Sequence, residues 1–215
     1  GLAAAGAGAP FNPDCLTEDY ELGLMVKAMG GKSSLIRLPA RDNRSMVAVR
    51  AHFPTSFDAA VRQKARWMAG IALSGWDRLG WQGGIAEFWM RLRDRRAPLA
   101  ALVLVAAYLA MLVAVARLIL HWAFEIPLPV LGPALTTMLL MSQFLLLWRL
   151  GVRACFVGLC YGWREALLSI PRNVVANVIS IFAACRAMGI YVRQIRTGQI
   201  VWDKTAHMFP TLAAD

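Results

Sequence analysis

Apolar residues follow several different rhythms along the chain, and each rhythm predicts a different kind of element. Behind Thr17, a residue type that favours the position just before a helix, the pattern predicts a helix running to about Met29 and ended by Gly30 and Gly31. "KSSLIRLP" (32–39) and "SMVAVRAHFP" (45–54) predict two short strands, the second stopped by Pro54. Ser56 or Asp58 can then cap a helix over 57–81 that carries its bulky groups on one side and Arg62, Lys64, Arg66 and Arg78 elsewhere. Trp67, Trp76, Trp81 and Trp89 recur through this part, and such a mixture of tryptophan and arginine suits helices lying at the headgroup level of a bilayer.

From residue 97 the rhythm disappears into continuous apolar runs. "APLAALVLVAAYLAMLVAVARLIL" (97–120) is long enough, at ~1.5 Å per residue, to cross a hydrocarbon core roughly 30 Å thick. "RLRDRR" (91–96) stands at its start and places that end in the cytoplasm. "HWAFEIPLP" (121–129) reads as a short outer loop, "VLGPALTTMLLMSQFLLLW" (130–148) crosses back, and Arg149 and Arg153 meet the inner side. Two crossings with both ends inside is the simplest topology. "NVVANVISIFAAC" (173–185), bracketed by Arg172 and Arg186, is short for a span and predicts an interfacial or re-entrant helix with Pro171 as its first residue. The end, "YVRQIRTGQIVWDKTAHMFPTLAAD", is polar, basic and hence cytoplasmic.

Composition agrees with a membrane protein. The chain is 58 % hydrophobic with a formal net charge of +10, and its mean hydropathy is +0.50. Nucleic-acid binding, the other common meaning of a basic chain, is excluded by placement: the arginines flank apolar runs and do not line one polar face. Cys15, Cys155, Cys160 and Cys185 form no CxxC pair and lie far from His52, His121 and His207, so the sequence predicts buried free thiols and no metal site within this chain. The opening "GLAAAGAGAPFNP" lacks a basic signal-peptide start and reads as the tail of an Ala-rich helix entering a loop. The Gly6-x-Gly8 pair follows no strand and makes no phosphate loop.

Two short motifs could carry chemistry. In "RQKARW", the spacing i, i+3, i+4 puts Gln63, Arg66 and Trp67 on one helical face. They form either an interfacial anchor with a solvated arginine, or a platform for a charged cyclic ligand. In the second case guanidinium offers a fork for phosphate oxygens, the amide adds neutral hydrogen bonds, and indole stacks on a sugar. In "LTEDY", Glu18 and Asp19 either complement the helix dipole or include a general base.

The order of the motifs, "TED" some distance before "QxxRW" and then interfacial and membrane-spanning helices, resembles the membrane-integrated family 2 glycosyltransferases. "PFNPDCLTEDYELGL", "VAVRAHFPTSFDAAVRQKARWMAGIALSGW", "LRDRR" and "VWDKTAHMFP" together look like the phage-adsorption-protein-B type, over most of the chain and most closely at 10–24, 44–81 and 162–210. The resemblance implies a mostly α membrane protein: the C-terminal part of an α/β glycosyltransferase domain (1–56), interfacial helices with QxxRW (57–96), two transmembrane helices (97–150), and an interfacial or re-entrant helix with a cytoplasmic tail (151–215). It implies inverting transfer from a nucleotide sugar to an envelope or exported polysaccharide at the cytoplasmic face of a bacterial inner membrane. Asp19 would be the base with Glu18 beside it, and Thr17, Gln63, Arg66 and Trp67 would bind substrate.

The family's donor- and metal-binding half, with the DxD motif for Mg²⁺ or Mn²⁺, is expected upstream of TED. Only sixteen residues precede Thr17, and Asp14 alone does not make that motif, so the sequence is expected to be part of a longer or split enzyme, working with its N-terminal half or an export partner. The competing functions are a non-catalytic adsorption or assembly factor and an inactive truncated remnant. "RLGVR" (149–153) fits half of a cyclic-dinucleotide motif but reads as flanking charge. "WDKTAHMFP" reads as a docking segment, with an active-site role for Asp203, Lys204 or His207 as the alternative.

Overall fold

The computed structural model describes residues 15–34, 36, 38–39, 54–81 and 83–198. Its elements are helices: α1 (Glu18–Ala28), α2 (Phe57–Met68), a π-helical segment (Ala69–Ser74), α3 (Gly75–Leu79), α4 (Ile85–Arg95), α5 (Ala97–Phe124), α6 (Pro133–Tyr161) and α7 (Trp163–Thr197). The chain is therefore mostly α, as expected. No strand forms among the described residues: those of 32–39 show only a lone bridge at Pro39, and the strand expected over 45–54 lies outside them. The α/β remnant is accordingly not part of the described structure.

Two compact units divide the chain, one made of Gly1–Ala100 with Phe182–Asp215 and the other of Ala101–Ile181. In the first, α2 and the π segment supply the core. Val61, Ala65, Met68, Ala69 and Ala72 recur at helical spacing and are all buried, which is the stripe an amphipathic helix lays against its neighbours. Ser56 caps α2 by accepting the Ala59 amide at 3.3 Å, and Asp58 pairs with Arg62 one turn on. The expected continuous helix over 57–81 is instead interrupted after QxxRW. Gly75 permits the interruption, because a Cβ there would stand 2.3 Å from the Gly70 carbonyl oxygen.

The small residues of the π segment let the chain before α1 come close. A Cβ on Gly70 would lie 2.7 Å from Thr17 Oγ1, 2.8 Å from its Cγ2 and 3.1 Å from Leu16 Cβ. Cys15, Leu16 and Thr17 are all buried. Thr17 occupies the N-cap position, but its hydroxyl makes no capping hydrogen bond; the threonine is turned toward Gly70 and its Oγ1 has no partner. Helix α1 is tied to α4 at two places a fixed seven residues apart on each helix, so the pair runs antiparallel. The Tyr20 hydroxyl donates to Asp94 Oδ2 at 3.3 Å, and Lys27 Nζ lies 3.6 Å from Glu87 Oε1.

The "RLRDRR" cluster is not wholly a flanking charge. Arg91 and Arg95 are buried, and they donate to the carbonyls that end α3: Arg91 to Leu79 and Gly80 at 2.8 and 2.9 Å, Arg95 to Gly80 at 2.6 Å. Cations at a helix C-terminus satisfy orphan carbonyls and complement the dipole. The Arg95 guanidinium also lies 4.5 Å from the Trp81 ring centroid and 5.3 Å from that of Trp76, and those two indoles meet edge to face. The last part of α7 completes the unit: Phe182 packs on Phe57, Tyr191 donates to Asp77 at 2.6 Å, and Ser74 donates to Gln194 at 2.7 Å.

Helices α5, α6 and α7 are each long and apolar enough to cross a membrane. The loop between α5 and α6 falls at 125–132, and α6 continues well past Trp148 to Tyr161. Helix α7 runs for 35 residues from Trp163, with Pro171 in its interior and not at its start. Of the four cysteines only Cys15 is buried; Cys155, Cys160 and Cys185 are free and exposed on α6 and α7, correcting the expectation of buried thiols.

Two outcomes follow from this packing. Gly70→Ala adds a methyl inside van der Waals distance of Thr17 and Leu16, an overpacking of about 1–3 kcal/mol that outweighs the roughly 0.5–1 kcal/mol an alanine gains over glycine in a helix. Thermal unfolding in detergent is expected to show net destabilisation. Burial and the Asp94 carboxylate raise the Tyr20 pKa above its ordinary 10.0. Because the folded state holds that proton more tightly than the unfolded chain does, the resulting stability is complete below the ordinary value and is lost as pH rises through the raised one. Stability measured across the alkaline range should fall less steeply in Tyr20→Phe than in the wild type; Tyr191, whose pKa is also raised by its hydrogen bond to Asp77, supplies the remainder.

Candidate functional site

The residue that follows TED and the tryptophan of QxxRW line one cavity of about 330 Å³, together with Lys64, Met68, Ile71, Ala72, Asp94 and Ala97. Tyr20 brings in the residue directly after TED, Trp67 the end of QxxRW, and Asp94 and Ala97 the junction where α4 passes into α5. Position in sequence explains the convergence. Trp67 and Ile71 lie one helical turn apart, as do Lys64 and Met68, so one face of α2 and the π segment forms a wall. The Thr17–Gly70 contact brings the start of α1 against the same segment, and the Tyr20–Asp94 hydrogen bond closes the opposite side.

The motif residues occupy distinct environments. Glu18 and Asp19 are exposed, and Asp19 Oδ1 accepts the Tyr20 amide at 2.9 Å. Thr17 is buried at 4 % exposure and makes its backbone N–H contact to Cys15 Sγ at 3.4 Å. The shared helical face of QxxRW is graded, with Gln63 at 9 % exposure and Trp67 at 40 %. Arg66 is half-buried, and its Nε is enclosed without a protein acceptor. Asp19 is not among the residues lining the cavity; its neighbour Tyr20 is.

Electrostatics at the cavity mix both signs. Burial pushes the Lys64 amine below its usual value, while burial and Asp94 push the Tyr20 phenol up, so both groups are shifted toward their neutral forms. Apolar walls at Met68, Ile71, Ala72 and Ala97, an indole face and three polar groups make a setting suited to a ring with an apolar face and hydroxyl edges. No three His, Cys, Asp or Glu side chains converge on a metal position among the described residues.

The motifs do not single out Tyr20, Lys64 and Asp94, which the fold brings to the cavity wall. Tyr20 was legible as the neighbour of TED. Asp94 had a signal too: it is the lone acid inside an arginine cluster read as topogenic. The segment "WDKTAHMFP", with Asp203, Lys204 and His207, lies outside the described residues, as does Asp14.

Residues 3–185 match the family described as "Glycosyl transferase family group 2". The chain is 32 % identical, over 238 aligned positions, to Bacteriophage adsorption protein B of Escherichia coli strain K12 and to Bacteriophage N4 adsorption protein B of Escherichia coli O157:H7. Each alignment covers 100 % of this chain and 31 % of the relative, so the chain spans about a third of the length of the curated relatives it matches. No solved structure matches it. With a family match over most of its length and relatives of the same type aligned from end to end, the chain belongs to glycosyltransferase family 2.

Proposed function

We propose that this chain supplies the acceptor side of an inverting glycosyl transfer, from a nucleotide sugar to a hydroxyl of a growing envelope or exported polysaccharide. The observation that carries the proposal is the single cavity lined by both Tyr20, next to TED, and Trp67, of QxxRW. In this reading the acceptor sugar lies on the Trp67 indole. Asp19 takes the hydroxyl proton as the oxygen bonds to the donor's anomeric carbon, and the nucleotide diphosphate departs with the electrons of the broken bond. One Asp19 oxygen already accepts the Tyr20 amide, which orients the carboxylate and leaves lone pairs for the incoming proton. Arg66, whose enclosed Nε lacks a protein acceptor, is suited to the charge growing on the diphosphate. Gln63 would add a polar contact, Thr17 would hold the motif in place, and Glu18, being exposed, would only tune the field. No step is assigned to the divalent cation.

Parity supports a two-crossing arrangement: Ala97, where α5 starts, and Phe182, late in α7, belong to one compact unit, which favours an even number of complete crossings between them. The charge-free run of α7, residues 173–185, is roughly 20 Å long and falls short of a hydrocarbon core of about 30 Å. We therefore assign the two crossings to α5 and α6 and place α7 along the interface. The arginines at 93 and 96 before α5 and at 149 and 153 in α6 favour the cytoplasmic side for the catalytic face, in the inner membrane.

In membranes carrying the complete protein, Asp19→Asn should lower sugar incorporation by at least about 10²-fold, with expression and membrane insertion kept. Trp67→Ala should cost roughly tenfold in kcat/KM for the acceptor, and Trp67→Phe less, because a ring face remains. Unchanged incorporation in Asp19→Asn would identify the chain as a non-catalytic scaffold.

A further inference from the structure

We propose that the turn joining α6 to α7 is a binding site for the phosphate headgroup of an anionic phospholipid. The turn is tight. Gly162 adopts φ +92°, and a Cβ on Gly158 would stand 3.3 Å from that of Ala166, so the two helices separate only gradually from the corner. Between them lies a cavity of about 310 Å³ lined by Arg153, Val157 and Tyr161 from one helix and Glu165, Ser169 and Arg172 from the other. The spacing explains the lining: 153, 157 and 161 form one helical stripe, and 165, 169 and 172 form the stripe that faces it.

Both guanidiniums are held in place by neighbours. Arg153 donates to Asn173 Oδ1 at 3.3 Å, and Arg172 pairs with Glu165. Asn173 is neutral, so it orients the Arg153 fork without cancelling its charge. Across 149–173 the chain carries Arg149, Arg153, Arg164 and Arg172 against Glu165 alone. An oriented pair of arginines with a surplus of positive charge is the chemistry that recognises a phosphate. The surroundings select a lipid over a soluble anion. Phe156, Leu159, Leu167 and Leu168 around the turn are 66, 78, 60 and 46 % exposed, an apolar surface that hydrocarbon would cover, and Tyr161 and Trp163 add the aromatic pair common at headgroup depth. The phosphate would sit between Arg153 and Arg172, with the acyl chains lying over the leucines.

The test uses the protein in nanodiscs of phosphatidylcholine containing a minority of phosphatidylglycerol, with retained lipid identified by native mass spectrometry after stepwise delipidation. The wild type should retain phosphatidylglycerol in preference to phosphatidylcholine. The double variant Arg153→Gln/Arg172→Gln should lose roughly thirty-fold of that preference, about five-fold per arginine at a charged membrane surface. Arg149→Gln, which lies outside the cavity, should change it far less. Arg153→Lys/Arg172→Lys should retain an intermediate preference, which keeps the test informative should the glutamine pair fail to fold in phosphatidylcholine alone. Equal retention of the two lipids by the wild type overturns the proposal. So does an equal loss in Arg149→Gln, or stabilisation of the protein in neutral nanodiscs by inorganic phosphate alone, since the last would mark a site for a soluble anion.

Discussion

The absence of a side chain at position 70 governs the arrangement of the first unit. Thr17 and Leu16 occupy the space a β-carbon would fill, so the entry to α1 lies flush against the π segment that continues the QxxRW helix. Everything at the cavity depends on that approach. It sets the height of Tyr20 relative to Trp67, and the Tyr20–Asp94 and Lys27–Glu87 contacts then fix the rotation of α1 against α4. The surface ion pair contributes little energy by itself, ~0–1 kcal/mol. Its value is directional, because it lies a full two turns from Tyr20 and resists swinging of the helix. Thr17 is thereby given to packing at the expense of its usual capping bond.

A second theme is the division of labour among the arginines. In the sequence they look alike, as charges beside apolar runs. In the structure Arg91 and Arg95 are internal fittings that close the C-terminal end of α3 and stack on Trp76 and Trp81. Such burial is tolerable because carbonyl dipoles and ring faces replace part of the lost hydration. Arg153 and Arg172 instead stand at a groove between two helices that expose leucine and phenylalanine. Helix α4 thus connects the unit carrying the two motifs to the first residue of α5, while Arg153 and Arg172 line a groove between α6 and α7.

How much of this was legible beforehand varies with the physics of each element. The spans of α5 and α6 were read directly, since a continuous apolar run of that length has few other uses. The start of α1 and the helix after Ser56 were marked by their capping residues. The π interruption was not, because it depends on how Gly75 packs on the Gly70 carbonyl and Gly70 on the Thr17 and Leu16 side chains, and it leaves no periodic trace. Helix α7 was read as starting at Pro171; a proline's missing N–H and ring can be absorbed inside a long helix where neighbours permit, and here the helix begins eight residues earlier. At the site, TED and QxxRW were found as motifs, whereas Lys64 and Asp94 required the tertiary arrangement to bring them beside Trp67.

The proposed acceptor site rests on one proximity, that of Tyr20 beside TED to Trp67 of QxxRW. It is tested most directly by thiol cross-linking in a background lacking the four native cysteines, with Tyr20→Cys/Trp67→Cys treated by a short bifunctional reagent. Efficient intramolecular linkage is expected for this pair and not for Lys27→Cys/Trp67→Cys, whose first member sits at the far end of α1. If the first pair links no better than the second, the cavity does not join the motifs and the proposed acceptor site is lost.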